Sequence, residues 1–149
     1  MSIMTAMEIG ASGLTAQRRR LEVMVSNLVN ANTTQPPGVE PYRRKDVLFS
    51  TLKMQNSSDS VFKSAFSSMF DDAVQGVKIR EIVSDQGEPV MRYEPGHPHA
   101  DERGYVAYPN VNALEEMVNV MSATRSYEAS LQAMGMSREM LQRTLDILK

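Results

Sequence analysis

His97 and His99 stand two positions apart, with Asp101 and Glu102 close behind them. An H-x-H pair beside carboxylates is a metal-donor set by type, but a zinc site needs three or four convergent ligands, often with more distant ones among them. These are the only two histidines of the chain, they sit in a Pro/Gly-rich stretch, and there is no cysteine. The pattern therefore predicts no metal site and leaves too few candidates for His-based nucleophilic or acid–base catalysis. The lack of cysteine also removes a disulfide framework and a thiolate nucleophile. Asp71-Asp72 and Asp101-Glu102 are adjacent carboxylates, and adjacency along the chain does not set two carboxyl groups across a substrate. No Gly-rich phosphate loop occurs. The residues predict a protein that is not an enzyme and that uses no catalytic residue, no metal and no cofactor.

Two basic triplets, Arg18-Arg19-Arg20 and Arg43-Arg44-Lys45, have the right type for phosphate. The first falls on a helical pattern, so its members point in three directions and read as a solvated face or as salt-bridge partners. The second is expected to bridge subunits through acidic partners. With 16 basic and 18 acidic residues and a net charge of -2, the chain lacks the basic surface that displaces counterions from nucleic acid. No apolar run approaches the roughly 20 residues that span a bilayer. Met1 to Gly10 carries Glu8 and no basic residue, so a Sec-type signal is not expected. Twelve Met, no Trp and four Phe suit helix interfaces that form late and must re-pack.

The elements that would position these residues differ in texture along the chain. From Ser2 to Asn32 the pattern is helical. Thr5 and Glu8 form a T-x-x-E capping box. Met7, Leu14, Leu21 and Leu28 recur every seven residues, with Ile3, Ala11, Met24 and Val25 filling the stripe and Glu8, Ser12, Arg19 and Glu22 opposite. Gly10 and Gly13 permit close approach of a neighbouring backbone, and Asn27, Asn30, Asn32 and the following Thr/Pro/Gly run end the helix. From Asn112 to Leu148 a second helix is expected, roughly 55 Å long, capped by Asn112 with Glu115. Ala113, Val120, Tyr127, Met134, Leu141 and Leu148 recur every seven residues, with Met117, Thr124, Leu131, Arg138 and Leu145 as the companion set.

The middle, from Gln35 to Pro109, holds most of the Gly and Pro. Val77 to Arg80 alternates as a strand should, Asp85-Gln86-Gly87-Glu88 reads as a turn, and Val90 to Tyr93 as the return strand of a hairpin. Residues 50–75 read as a mobile Ser-rich stretch, with Phe62, Phe66, Met69 and Phe70 able to line a short helix. The expected fold is mainly α with a small β region. Long N- and C-terminal helices form a coiled-coil-like pair, and a small β-hairpin region lies between them. The segments are 1–34, 35–109 and 110–149.

Heptad spacing favours helices that wrap around one another. Two such helices cannot bury both broad stripes on each other, so the stripes imply partners, and ends that order on assembly. Interfaces between different faces of like subunits do not close and generate a filament or tube. A soluble coiled-coil adaptor or export chaperone fits the same stripes and predicts a stable helical dimer instead.

Particular segments narrow the choice. Ala11 to Gln17, and Ser26-Asn27-Leu28-Val29-Asn30-Ala31-Asn32-Thr33-Thr34, resemble the N-terminal signature of the flagellar axial proteins, where a leading helix ends near S-N-L-A-N-x-x-T. Val29 stands where Ala is usual. Tyr93 to Pro98, Gly104-Tyr105-Val106, Pro109-Asn110-Val111-Asn112, Glu116-Met117-Val118 and Ser122 to Ala129, including Arg125 and Tyr127, resemble the segment before and into the C-terminal helix of the proximal-rod members. Pro41 to Lys45 with Val47 and Phe49 is similar as well, and Ser130 replaces an Asn common there. The resemblance covers most of the chain outside Ser50 to Gln75.

The resemblance implies a structural subunit of the basal-body proximal rod, exported unfolded by the flagellar type III system without a cleaved signal. It implies a periplasmic rod whose terminal helices surround the export channel and carry motor torque. Its partners would be itself, other rod proteins, and inner-membrane ring and export-gate proteins at the rod base, with no nucleic acid, small-molecule substrate or direct membrane insertion. Another rod protein of the family is the alternative within that class. Met7, Leu14, Leu21, Leu28, Val120, Tyr127, Leu131, Met134, Leu141, Leu145 and Leu148 are the expected assembly interface.

Overall fold

A computed structural model describes residues 3–53 and 75–147 of the chain. Among the described residues two helices, α1 (Ile3–Asn30) and α2 (Ala113–Ile147), flank four strands, β1 (Lys45–Lys53), β2 (Gln75–Ser84), β3 (Val90–Tyr93) and β4 (Tyr105–Tyr108). The fold is thus mainly α with a small β region. The strands form two two-stranded sheets, β1 with β2 and β3 with β4. Two compact units are drawn from interleaved segments: one from Met1–Arg18, Phe49–Arg80 and Arg125–Lys149, the other from Arg19–Leu48 and Glu81–Thr124.

The expected hairpin between β2 and β3 does not form. β3 pairs antiparallel with β4, in the register Val90 with Tyr108 and Tyr93 with Tyr105. The reason lies in the 94–104 loop, which closes on its own hydrogen bonds. Glu94 N–H donates to the Gly104 carbonyl at 2.8 Å and Asp101 N–H to the Tyr105 carbonyl at 2.8 Å. The Asp101 carboxylate accepts from the amides of Arg103 and Tyr105, each at 2.8 Å. Gly104 has φ +80, and a Cβ there would stand 2.9 Å from Tyr93 Cε2 and 3.2 Å from Pro95 Cβ. Gly104→Ala therefore combines left-handed backbone cost with a clash, and is expected to destabilise by about 1–3 kcal/mol, read as a lowered thermal midpoint. Asp85 is used differently from a hairpin turn: its carboxylate accepts from Gly87 N–H at 2.9 Å, and its own amide donates to the Arg44 carbonyl at 2.7 Å.

Part of the stretch expected to be mobile is regular strand, since Ser50–Lys53 belong to β1 and Gln75 opens β2. Residues 54–74, with Phe62, Phe66, Met69, Phe70, Asp71 and Asp72, lie outside the described residues, as does Leu148. The Thr5/Glu8 capping box is also corrected, because α1 already includes Ile3 and Thr5 lies inside the helix. The cap at α2 does form: Asn112 Oδ1 accepts from the amides of Leu114 at 3.1 Å and Glu115 at 3.4 Å, satisfying donors that the first helical turn leaves free.

Met7, Leu14, Leu21 and Leu28 of α1 are half-buried, and full burial falls on Ala16, Val23, Met24, Asn27 and Ala31. Ala11 and Val25, expected in the stripe, are exposed. Asn27 was expected to help end the helix, yet the helix runs through it and carries it into the core. Within the unit that contains both, a Cβ on Gly10 would lie 3.5 Å from Met134 Cε, and among the described residues nothing lies within 4 Å of one on Gly13.

Along α2 the inward positions are Ala113, Glu116, Val120, Ala123, Tyr127, Ser130, Met134, Ser137 and Leu141, buried or half-buried. Their spacing alternates between three and four residues, the period of a heptad. The seven-residue set headed by Ala113 is the expected one, but its companions are Glu116, Ala123, Ser130 and Ser137. Met117, Leu131 and Leu145 stand exposed one position on.

Candidate functional site

The largest fully buried side chains are Glu116, Val106 and Asn27, so two of the three are polar. Asn27 and Glu116 are each 1% exposed and belong to one cluster. The Asn27 amide donates to the Lys45 carbonyl at 2.7 Å and to Glu116 Oε2 at 3.2 Å. Its oxygen accepts from Lys45 N–H at 2.9 Å and from the Tyr42 hydroxyl at 3.0 Å. Both hydrogens and both lone-pair sites are thereby satisfied. Ser26 Oγ lies 3.3 Å from the Tyr42 hydroxyl. Glu116 Oε1 accepts from Arg44 Nε at 2.7 Å. The hydrogen bond to Glu116 raises the Arg44 pKa above its already high value, against the opposing effect of burial.

This arrangement ties α1, the chain entering β1 and the first turn of α2. Beside it stands the second basic triplet. Arg43 hydrogen-bonds Glu40, and its guanidinium also donates to the Asp85 carbonyl at 3.1 Å. Arg44 pairs with Glu116, and Lys45 Nζ stands 5.5 Å from the Tyr42 ring centroid. The triplet is engaged by its own chain. In the first triplet Arg19 pairs with Glu22 at 2.7 Å on an exposed face.

The histidines act as loop hardware. His99 Nδ1 lies 2.8 Å from Thr34 Oγ1 just beyond α1, and His99 N–H donates to His97 Nδ1 at 3.1 Å. The rings meet edge-on at 5.4 Å. Nearby, the Tyr108 hydroxyl donates to Glu94 at 3.1 Å. Partial burial, and then that carboxylate, hold its pKa above the usual tyrosine value.

The residues singled out by resemblance distribute unevenly. Ser26, Asn27 and Glu116 converge on the cluster. Asn30 instead donates to the Ser26 carbonyl at 2.8 Å. Gly104, Val106 and Pro109 are buried in or beside the β3–β4 hairpin, and Tyr105 meets Tyr93 edge-on at 5.3 Å. Asn32, Asn110, Met117 and Arg125 are exposed, and Leu28 and Tyr127 half-buried. Tyr42 and Arg44 were not foreseen as cluster members. The one available signal was that Asn27 falls among Val23, Met24 and Ala31 at helical spacing.

The second feature is the outward face of α2. Leu114, Met117, Val118, Met121, Leu131, Met136, Met140, Leu145 and Ile147 are exposed, so the helix shows water more apolar bulk than it turns inward. No helix among the described residues is long and apolar enough to cross a membrane.

A helix-ended chain with a small β middle and apolar helix faces matches a known class. A family model described as "Flagella basal body rod protein" matches residues 7–36, and one described as "Flagellar basal body rod FlgEFG protein C-terminal" matches residues 102–147. Over its whole length the chain is also similar to curated flagellar basal-body rod proteins named FlgC. It is 37% identical to that of Escherichia coli O157:H7 over 147 residues, covering 99% of this chain and 98% of the relative. It is 40% identical to that of Bacillus subtilis over 153 residues, covering all of both. It is 34% identical to that of Borreliella burgdorferi over 155 residues, covering 100% and 99%. The chain belongs to the FlgC family of flagellar basal-body rod proteins.

Proposed function

We propose that this structural rod subunit polymerises through its terminal helices into the helical tube of the proximal rod. The observation that carries the reading is the exposed apolar face of α2. Exposed apolar bulk of that extent marks a surface meant for contact, and non-closing contacts between like or related subunits build a tube. Met7, Leu14, Leu21 and Leu28 of α1, with Val120, Tyr127, Leu131, Met134, Leu141, Leu145 and Leu148 towards the other end, supply the interface in coiled-coil-like packing. Segments 1–34 and 110–149 act as the axial helices and 35–109 as the small middle region.

In this reading the chain is exported unfolded by the flagellar type III system without a cleaved signal, and reaches a periplasmic position between the inner-membrane ring and the distal rod. It contacts other rod subunits, and ring and export-gate proteins at the base. The tube surrounds the export channel. Its role is mechanical and not catalytic: close-packed helices have low compressibility and pass strain from neighbour to neighbour.

Deleting the coding sequence and fractionating hook–basal bodies tests the reading. The expected result is a non-swimming strain, with the protein recovered in basal bodies after complementation. A deletion strain that swims, together with basal bodies lacking the protein, would sink it. Sedimentation of the isolated chain is expected to show a monomer, whereas an adaptor would give a stable, fully helical dimer.

A further inference from the structure

We propose that the cluster of buried Asn27 and Glu116 with half-buried Arg44 sets the rotation of α2 about its own axis, turning the less apolar side inward and leaving the more apolar side outward. All the residues concerned lie within one compact unit. Between Ala113 and Thr124 the inward positions are Ala113, Glu116, Val120 and Ala123. One residue on, about 100° around the helix, stand Leu114, Met117, Met121 and Thr124. Both sets have the same three- and four-residue spacing, so periodicity does not choose between them. Apolar bulk favours the second set, because burying Leu and two Met removes more surface from water than burying Ala, Val and a carboxylate. The structure takes the first.

What separates the two rotations is Glu116. Its carboxylate receives Arg44 Nε at 2.7 Å and the Asn27 amide at 3.2 Å. With α2 turned by one position, a Met side chain would face the Asn27 amide, and Arg44 would lose its carboxylate. An unpaired buried donor or charge is costly, whereas a matched set of apolar replacements is commonly neutral or stabilising. The Arg44–Glu116 pair therefore contributes little as a source of stability and much as a choice between rotations, in the manner of a single buried polar group that fixes coiled-coil register. The consequence that the outward face is thereby reserved for neighbouring subunits rests on the proposed assembly; the rotation itself does not.

The chain has no cysteine, so one introduced thiol reports its own surroundings. Met117→Cys and Ala123→Cys are made separately in the full-length chain, at positions 48% and 0% exposed, and their reaction with Ellman's reagent is timed. In the native background the thiol at 117 is expected to react roughly a hundredfold faster than that at 123, as exposed thiols do relative to buried ones. In the apolar background Arg44→Met, Glu116→Leu, which leaves Asn27 on Lys45 and Tyr42, the ratio is expected to collapse or invert, with helical circular dichroism retained. If the apolar variant retains the native ratio, the proposal is overturned. It is overturned equally if that variant loses its helical signal, since the cluster would then hold the fold instead of choosing a rotation. Failure of the native chain to enter rods would count against the assembly reading and leave the thiol contrast untouched.

Discussion

Asn27→Ala is expected to lower the free energy of unfolding by about 4 kcal/mol, since each buried group stranded without a partner costs about 1–3 kcal/mol. The substitution strands the Lys45 amide and carbonyl and one oxygen of Glu116, and leaves the Tyr42 hydroxyl only its contact with Ser26. Water entering the vacated volume recovers part of the loss, which places the value below the simple sum. Asn27→Asp is nearly isosteric and still strongly destabilising, because it replaces a donor by a carboxylate oxygen facing the Lys45 carbonyl and the Glu116 carboxylate. Urea denaturation followed by circular dichroism measures both. A loss below about 1 kcal/mol for the alanine variant would mean that the four bonds are replaced by solvent at no net cost.

The same cluster explains where the sequence was legible. Both long helices follow from seven-residue recurrences and from breakers at their ends, and Asn112 reads correctly as a cap because its role is local. Only half of the inward side of α2 followed, the set headed by Ala113; for its companions apolar count pointed to Met117, Leu131 and Leu145. The choice of Glu116 depends on Arg44 and Asn27, 72 and 89 residues away. No periodicity carries a contact of that range. The β region failed for related reasons. In β1, Val47, Leu48 and Phe49 are consecutive apolar residues, so the strand lacks alternation. β3 was given the neighbour nearest in sequence, while its partner β4 lies across a loop whose closure depends on Asp101 and the φ of Gly104. Family resemblance picked out Asn27 and Glu116 separately, and only three dimensions join them.

Paired substitution of the outer face, Leu131→Glu with Leu145→Glu, is expected to abolish incorporation into rods while leaving the isolated chain as stable as before. The two side chains are 52% and 60% exposed, and changes at exposed helix positions away from special contacts usually stay within about 0.5 kcal/mol. At a neighbour's surface the balance reverses. Burying each leucine contributes about 2 kcal/mol, so losing two weakens each contact by about three orders of magnitude at 1.4 kcal/mol per tenfold. A carboxylate buried without a partner adds to that loss. Because every subunit in a tube carries the change at every equivalent contact, the defect multiplies along the polymer. Thermal melts of the purified variant, swimming in soft agar and immunoblots of hook–basal bodies separate the two effects. Unchanged melting with no swimming and no incorporation is the expected combination. Incorporation at the native level would mean that this side of α2 faces solvent in the assembled rod, and that the interface must be sought on the half-buried set headed by Tyr127 and Met134.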